Sequence, residues 1–121
     1  MAGIRIKHRF IPLRLAAMTE NSVDVVFTIT NETERPILMS IDAIVHPRAL
    51  IGFDPSAINK RTFKKVGTVE PSQTVEVPIK IYGTNQTKPG VYPILFKINI
   101  HDRDYNDLLH EIRRRTELRV V

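Results

Sequence analysis

Pro89-Gly90-Val91-Tyr92-Pro93-Ile94-Leu95-Phe96-Lys97-Ile98-Asn99-Ile100 is the stretch that decides the fold. Tyr92, Ile94, Phe96, Ile98 and Ile100 fall on every second position, the period at which a strand sends side chains to opposite faces. A helix needs steps of three and four instead. The Pro-Gly pair in front marks a turn, so these residues read as a strand with one buried face.

Working outward, the same period returns in other segments. Val23, Val25, Phe27 and Ile29 form an inward set that stops at the polar run Asn31-Glu32-Thr33-Glu34-Arg35-Pro36. Ile37, Met39, Ile41, Ala43 and Val45 continue it up to His46-Pro47, and Val75, Val77, Ile79 and Ile81 repeat it after Glu70-Pro71-Ser72. Phe27, Ile29, Ile41, Ile79, Tyr92, Phe96 and Ile98 lie at the centres of these sets and are the expected core. Near the start, Ile4, Ile6 and Phe10 share one parity while Ile11, Leu13 and Leu15 share the other. A slip of that kind at Pro12 predicts a bulge or a switch between sheets.

Two segments are less regular. In residues 46–66, Leu50, Ile51 and Phe53 are expected to cover one end of the core, and residues 62–66 to form a short edge strand. In the last segment Tyr105, Leu108, Ile112 and Thr116 fit helical spacing. The turn formers of residues 102–107 and the strand parity of Ile112, Leu118 and Val120 favour a final strand. The sum is an all-β chain, an immunoglobulin-like sandwich of about seven antiparallel strands in a single domain, residues 1–121.

Composition narrows function by exclusion. A chain of 121 residues with 42% hydrophobic and 26% charged residues matches ordinary globular usage. The absence of cysteine removes disulfides, thiolate zinc sites and cysteine nucleophiles. No apolar run approaches signal or membrane-span length, so a cytoplasmic location without membrane contact is expected. A net charge of +5 biases the protein toward anionic partners without deciding among them.

Three patterns, Phe27-Thr28-Ile29-Thr30-Asn31-Glu32-Thr33, Gly67-Thr68-Val69-Glu70-Pro71-Ser72-Gln73-Thr74 and Thr87-Lys88-Pro89-Gly90-Val91-Tyr92-Pro93-Ile94, occur in this order. Together they resemble the immunoglobulin-like modules of the CARDB-like (cell-adhesion-related) and alpha-galactosidase-associated families. The resemblance covers roughly residues 20–121 and implies the sandwich fold. It implies little about function, and Ser72 stands where the pattern usually has Gly. Tyr92 is placed either as a tyrosine corner, its hydroxyl tied back to main chain, or as a core Tyr with a wet tip.

Catalytic constellations find no support. His8, His46, His101 and His110 are far apart and read as solvated or edge residues. None of Ser22, Ser40, Ser56 and Ser72 has a neighbouring His or Lys in sequence to activate it. Asp102, Asp104 and Asn106 begin a calcium-loop pattern that fails where Asp107 replaces the required Gly and Arg113 the required Glu. Asn31-Glu32-Thr33 and Asn85-Gln86-Thr87 are glycan acceptors by pattern. No enzyme, metal or cofactor is expected.

Two surfaces are therefore the candidates. Leu38, Ile44, Val91, Leu95 and Leu109 are apolar residues at outward positions of three strands expected to share a sheet, an interface for a protein partner or for a homodimer. Arg5, Lys7 and Arg9 on the first strand and Arg113, Arg115 and Arg119 on the last would merge, if those strands pair, into a ridge for nucleic acid or another anion. The interface is the preferred reading, and the ridge the alternative.

Overall fold

The computed structural model describes residues 3–121. Eight strands run β1 (Ile4–Ile11), β2 (Asn21–Asn31), β3 (Ile37–Val45), β4 (Ile51–Gly52), β5 (Arg61–Val69), β6 (Thr74–Gly83), β7 (Gly90–His101) and β8 (Leu108–Val120). They form two antiparallel sheets, β1-β2-β6-β4 and β5-β3-β7-β8. Every connection from β2 to β7 passes from one sheet to the other, and only β1–β2 and β7–β8 are hairpins within a sheet.

The core lies between the sheets, built by the inward positions read from the sequence. Phe27, Ile29, Ile41, Phe96 and Ile98 are fully buried and Ile79 nearly so. Tyr92 is half-buried, and its hydroxyl donates to the Lys88 carbonyl at 2.7 Å, which makes it a tyrosine corner. Ser72 takes φ +64° at the third position of the Glu70-Pro71-Ser72-Gln73 turn, the place where Gly is usual.

The slip near Pro12 is a sheet switch. β1 pairs with β2 in one sheet, and Leu15 then pairs in parallel with Val120 at the far edge of the other. Leu15 fills the core there, against Gly83, where a Cβ would stand 2.7 Å from its Cδ2. Ile11 and Leu13 remain exposed.

The irregular segment holds more structure than its sequence pattern indicated. Ile51 is buried in the two-residue β4, the strand beyond the expected seven. Lys60 organises the loop around it, its ammonium donating to the carbonyls of Ala49, Ile51 and Ala57. The edge strand expected at 62–66 is the longer β5, with Lys64 and Lys65 exposed along it. The last segment is strand throughout β8.

Both glycan-acceptor patterns have structural roles. Asn31 is buried, its amide donating to the carbonyls of Arg35 and Val69 while its oxygen accepts from the Thr33 N–H and hydroxyl. Thr87 is likewise buried, donating to the Leu50 carbonyl and accepting from the Thr84 N–H. Asp102, Asp104 and Asn106 make the tip of the β7–β8 hairpin, where the Asp104 carboxylate caps the Asn106 N–H at 2.8 Å.

Candidate functional site

The outward face of β5-β3-β7-β8 departs from the usual strand pattern. Along β3 and the end of β7, burial stops alternating, and Ser40, Asp42, Asn99 and His101 are buried although they point away from the core. In register, Ser40 stands beside Asn99, Asp42 beside Lys97, and Lys97 beside Arg113. Asn99 donates to Ser40 Oγ at 3.1 Å and to Asp42 Oδ2 at 3.2 Å, and Ser40 Oγ lies 2.7 Å from His101 Nε2.

A lid explains the burial. The β7–β8 hairpin tip folds Tyr105 back over the sheet, with its ring edge-on to His101 at 5.2 Å and to Phe63 of β5 at 6.3 Å. Lys65 lies 5.1 Å from the centre of the same ring. Beside this lid is an open cleft of about 210 Å³ lined by Asp42, Phe63, Lys97, His101, Tyr105 and neighbours. Arg61 pairs with Asp42 at 3.2 Å and Arg113 with Glu111 at 2.8 Å. That second pairing, an ionic hydrogen bond, holds the Glu111 carboxyl below the usual carboxylate range.

This network corrects two expectations. Ser40 does meet a histidine, across 61 positions of sequence. It differs from an activated nucleophile, because Ser40 is wholly buried and the Asp42 carboxylate bonds Asn99 instead of the imidazole. His101 is neither solvated nor on an edge strand, whereas His8 does lie on the edge strand β1 but faces inward. His101 is 6% exposed, and His8 points between the sheets toward Phe27.

The five apolar interface candidates do lie on strands of one sheet, in a broken arrangement. Ile44 and Leu95 are direct neighbours, and with Pro47, Pro93 and Arg115 they line a shallow cleft of about 340 Å³. Leu38 pairs with His101, on the far side of the polar rows of Ser40 and Asp42. Val91 is exposed near the other end of β7, and Leu109 is the extra residue of the bulge opposite Ile100 and His101. The patch is therefore the Ile44–Leu95 cleft, with Leu38 and Leu109 separated from it.

The six basic residues do not merge. β1 and β8 are edge strands of different sheets. Arg5, Lys7 and Arg9 alternate with inward residues of the first sheet, and Arg113, Arg115 and Arg119 with inward residues of the second, so the two sets project from opposite faces of the sandwich. Arg5 pairs with Glu32 at 3.0 Å and Arg9 with Glu76 at 3.6 Å, which further dilutes the first set. The residue that does join β1 to β8 is Arg114, at an inward position of β8.

No protein-family model matches the chain, and no curated protein matches it in sequence. Among solved structures it is similar to part of native alpha-2-macroglobulin from Escherichia coli, with TM-score 0.64 and 12% identity over 98% of this chain and 17% of that one. Part of the Pseudomonas fluorescens alkylpurine DNA glycosylase AlkC, solved on DNA containing an abasic-site analogue, gives 0.58 and 10% over 98% and 30%. The ASH/PapD-like domain of human CEP192 gives 0.55 and 11% over 98% and 85%. The chain thus spans a small fraction of the macroglobulin it matches. At such identities the likeness is one of fold. It is an immunoglobulin-like β-sandwich, as the resemblance to CARDB-like modules implied. No helix among the described residues is long and apolar enough to cross a membrane.

Proposed function

We propose that this domain is a non-catalytic interaction module that binds protein through the outer face of the β5-β3-β7-β8 sheet, at the cleft between Ile44 and Leu95, and that a second copy of the chain is an occupant of it. The supporting observation is the pairing of two aliphatic side chains on an outward sheet face, extended by Pro47 and Pro93 and bordered by Arg115. Apolar centre and charged rim is the ordinary anatomy of a contact surface. A two-fold arrangement would cover the same patch on both copies.

Sedimentation tests it. The native chain is expected to show a concentration-dependent dimer, and the variant Ile44→Glu/Leu95→Glu a monomer with unchanged melting, because a carboxylate buried without a partner opposes the contact and not the fold. A native monomer at high concentration excludes the second copy.

A further inference from the structure

The chain itself adds a strand to part of the β8 edge. Past the sheet switch, the Leu15 N–H donates to the Arg119 carbonyl at 3.0 Å, the Val121 N–H to the Leu15 carbonyl at 2.9 Å and the Ala17 N–H to the Val121 carbonyl at 2.8 Å. Arg119 and Val121 thus turn their main-chain groups away from β7. The register between β7 and β8 is unbroken from Ile98↔Ile112 to Gly90↔Val120, so the same parity holds at Glu117, Arg115 and Arg113. The N–H and C=O groups of these three residues point out of the sheet edge and have no hydrogen-bond partner among the described residues.

Side-chain burial changes at the same place. Where residues 15–17 are added, Leu15, Leu118 and Val120 are buried. Further back, Ile112, Arg114 and Thr116 of β8 and Ile6, His8 and Phe10 of β1 stay half-buried along the seam between the two edge strands. The other edges are blunted against pairing. β5 has a bulge opposite Met39 and Ser40 and sets Lys64 beside the core residue Ile41, β4 is two residues long, and on β1 the Ile6 carbonyl is taken by Arg114. Charge gives the open edge a sign: β8 holds four arginines against two glutamates, and Arg114 and Arg115 make no ion pair among the described residues.

We propose that the β8 edge at Arg113, Arg115 and Glu117 takes an extended acidic segment of a partner protein as an added strand. Alternate side chains of that segment would face opposite sides. Its carboxylates lie beside Arg115 on the outer face, and the apolar residues between them turn into the seam and do there what Leu15 does beside Leu118. A second β8, with the same excess of arginine, is the poorer occupant. The proposal is independent of the Ile44–Leu95 reading, and a native monomer in sedimentation leaves it standing.

The test is an NMR titration of the isotope-labelled full chain with three peptides: Val-Glu-Val-Glu-Val-Glu-Val, its counterpart with Lys for Glu, and the acidic peptide with every peptide nitrogen methylated. The acidic peptide is expected to slow hydrogen exchange of the Arg113, Arg115 and Glu117 amides by about tenfold, and the other two to bind about tenfold more weakly. Arg115→Glu should weaken the acidic peptide by about tenfold, whereas Lys7→Glu, the same change of charge on the outer face of the other sheet, should leave it unchanged. Glu117→Pro removes an outward donor without touching the ladder to β7, and it makes the edge more positive. Weaker binding by that variant therefore separates strand addition from attraction of charge alone. If Glu117→Pro melts early, the methylated peptide, read on the native chain, decides in its place. The proposal is overturned if the three amides exchange as before, if the lysine or methylated peptide matches the acidic one, or if a stably folded Glu117→Pro keeps the native affinity. Protection of the same amides that rises with protein concentration and without peptide overturns it in favour of a second copy.

Discussion

The guanidinium of Arg114 donates to the main-chain carbonyl of Ile6 over 2.8 Å, linking the last strand of one sheet to the first strand of the other. Both strands are sheet edges, so the bond satisfies a carbonyl that lies outside any strand ladder. Arg114 has no carboxylate partner among the described residues. Arg114→Met keeps the aliphatic stem and removes the donor. Because the site is half-exposed, the expected loss is about 1.5 kcal/mol, the low end for bonds from charged groups, read as a lower urea midpoint at constant slope.

The same arginine bears on His8. Burial between the sheets holds the His8 imidazole below its usual 6.5, and the positive charge of Arg114 pushes it the same way. The unfolded chain therefore takes up the proton before the folded one does. Stability is full above pH 6.5, falls as the pH drops through that value, and levels off below the folded pKa. His8→Leu should flatten the dependence of stability on pH just below 6.5. Arg114→Met should raise the His8 pKa, measured by NMR titration. A His8→Leu variant with the native slope would place the acid sensitivity elsewhere.

Asn31 predicts a larger cost from a small change. Its amide and carbonyl serve four partners at the end of β2, two of them the carbonyls of Arg35 and Val69. Asn31→Ala removes the side-chain donor from the Val69 carbonyl in a buried place, at about 1–3 kcal/mol where water cannot replace it, while the Arg35 carbonyl keeps the Thr33 hydroxyl. Asn31→Asp should fare no better, since a carboxylate cannot donate to a carbonyl. Thermal unfolding of either variant within a degree of the native chain would show that water substitutes fully.

The strands were legible because one buried face imposes period two on the sequence, and β2, β6 and β7 keep that period through most of their length. β1 betrayed its sheet switch by a change of parity around Pro12. The candidate site was hidden by the opposite circumstance. On β3 and β7 both faces are covered, and the outward residues Ser40, Asp42, Asn99 and His101 read as ordinary polar positions when only neighbours in sequence are considered. Their partners lie 57 to 61 positions away, and their burial depends on a Tyr at a hairpin tip. The basic ridge failed for a related reason: parity assigns a residue to a face, but only topology says whose face it is. Lys60 carried no periodic signal at all, since it acts on carbonyls of a loop.

Phe96 gives the sharpest test of the packing. Its ring meets Phe27 edge to face at 4.7 Å, the His8 ring stands 6.4 Å away, and both phenylalanines are fully buried. The pair joins β7 of one sheet to β2 of the other, so it spans the core that holds the sandwich together. Truncation removes apolar burial, the aromatic contact and the volume of a ring whose neighbours are pinned by two sheets and cannot close the void. Phe96→Ala should therefore cost about 3–5 kcal/mol, against a change within about 0.5 kcal/mol for Leu13→Ala, an exposed side chain in the β1–β2 connection. Chemical denaturation of the two variants separates these cases, and equal midpoints would mean that Phe96 is not where the packing places it.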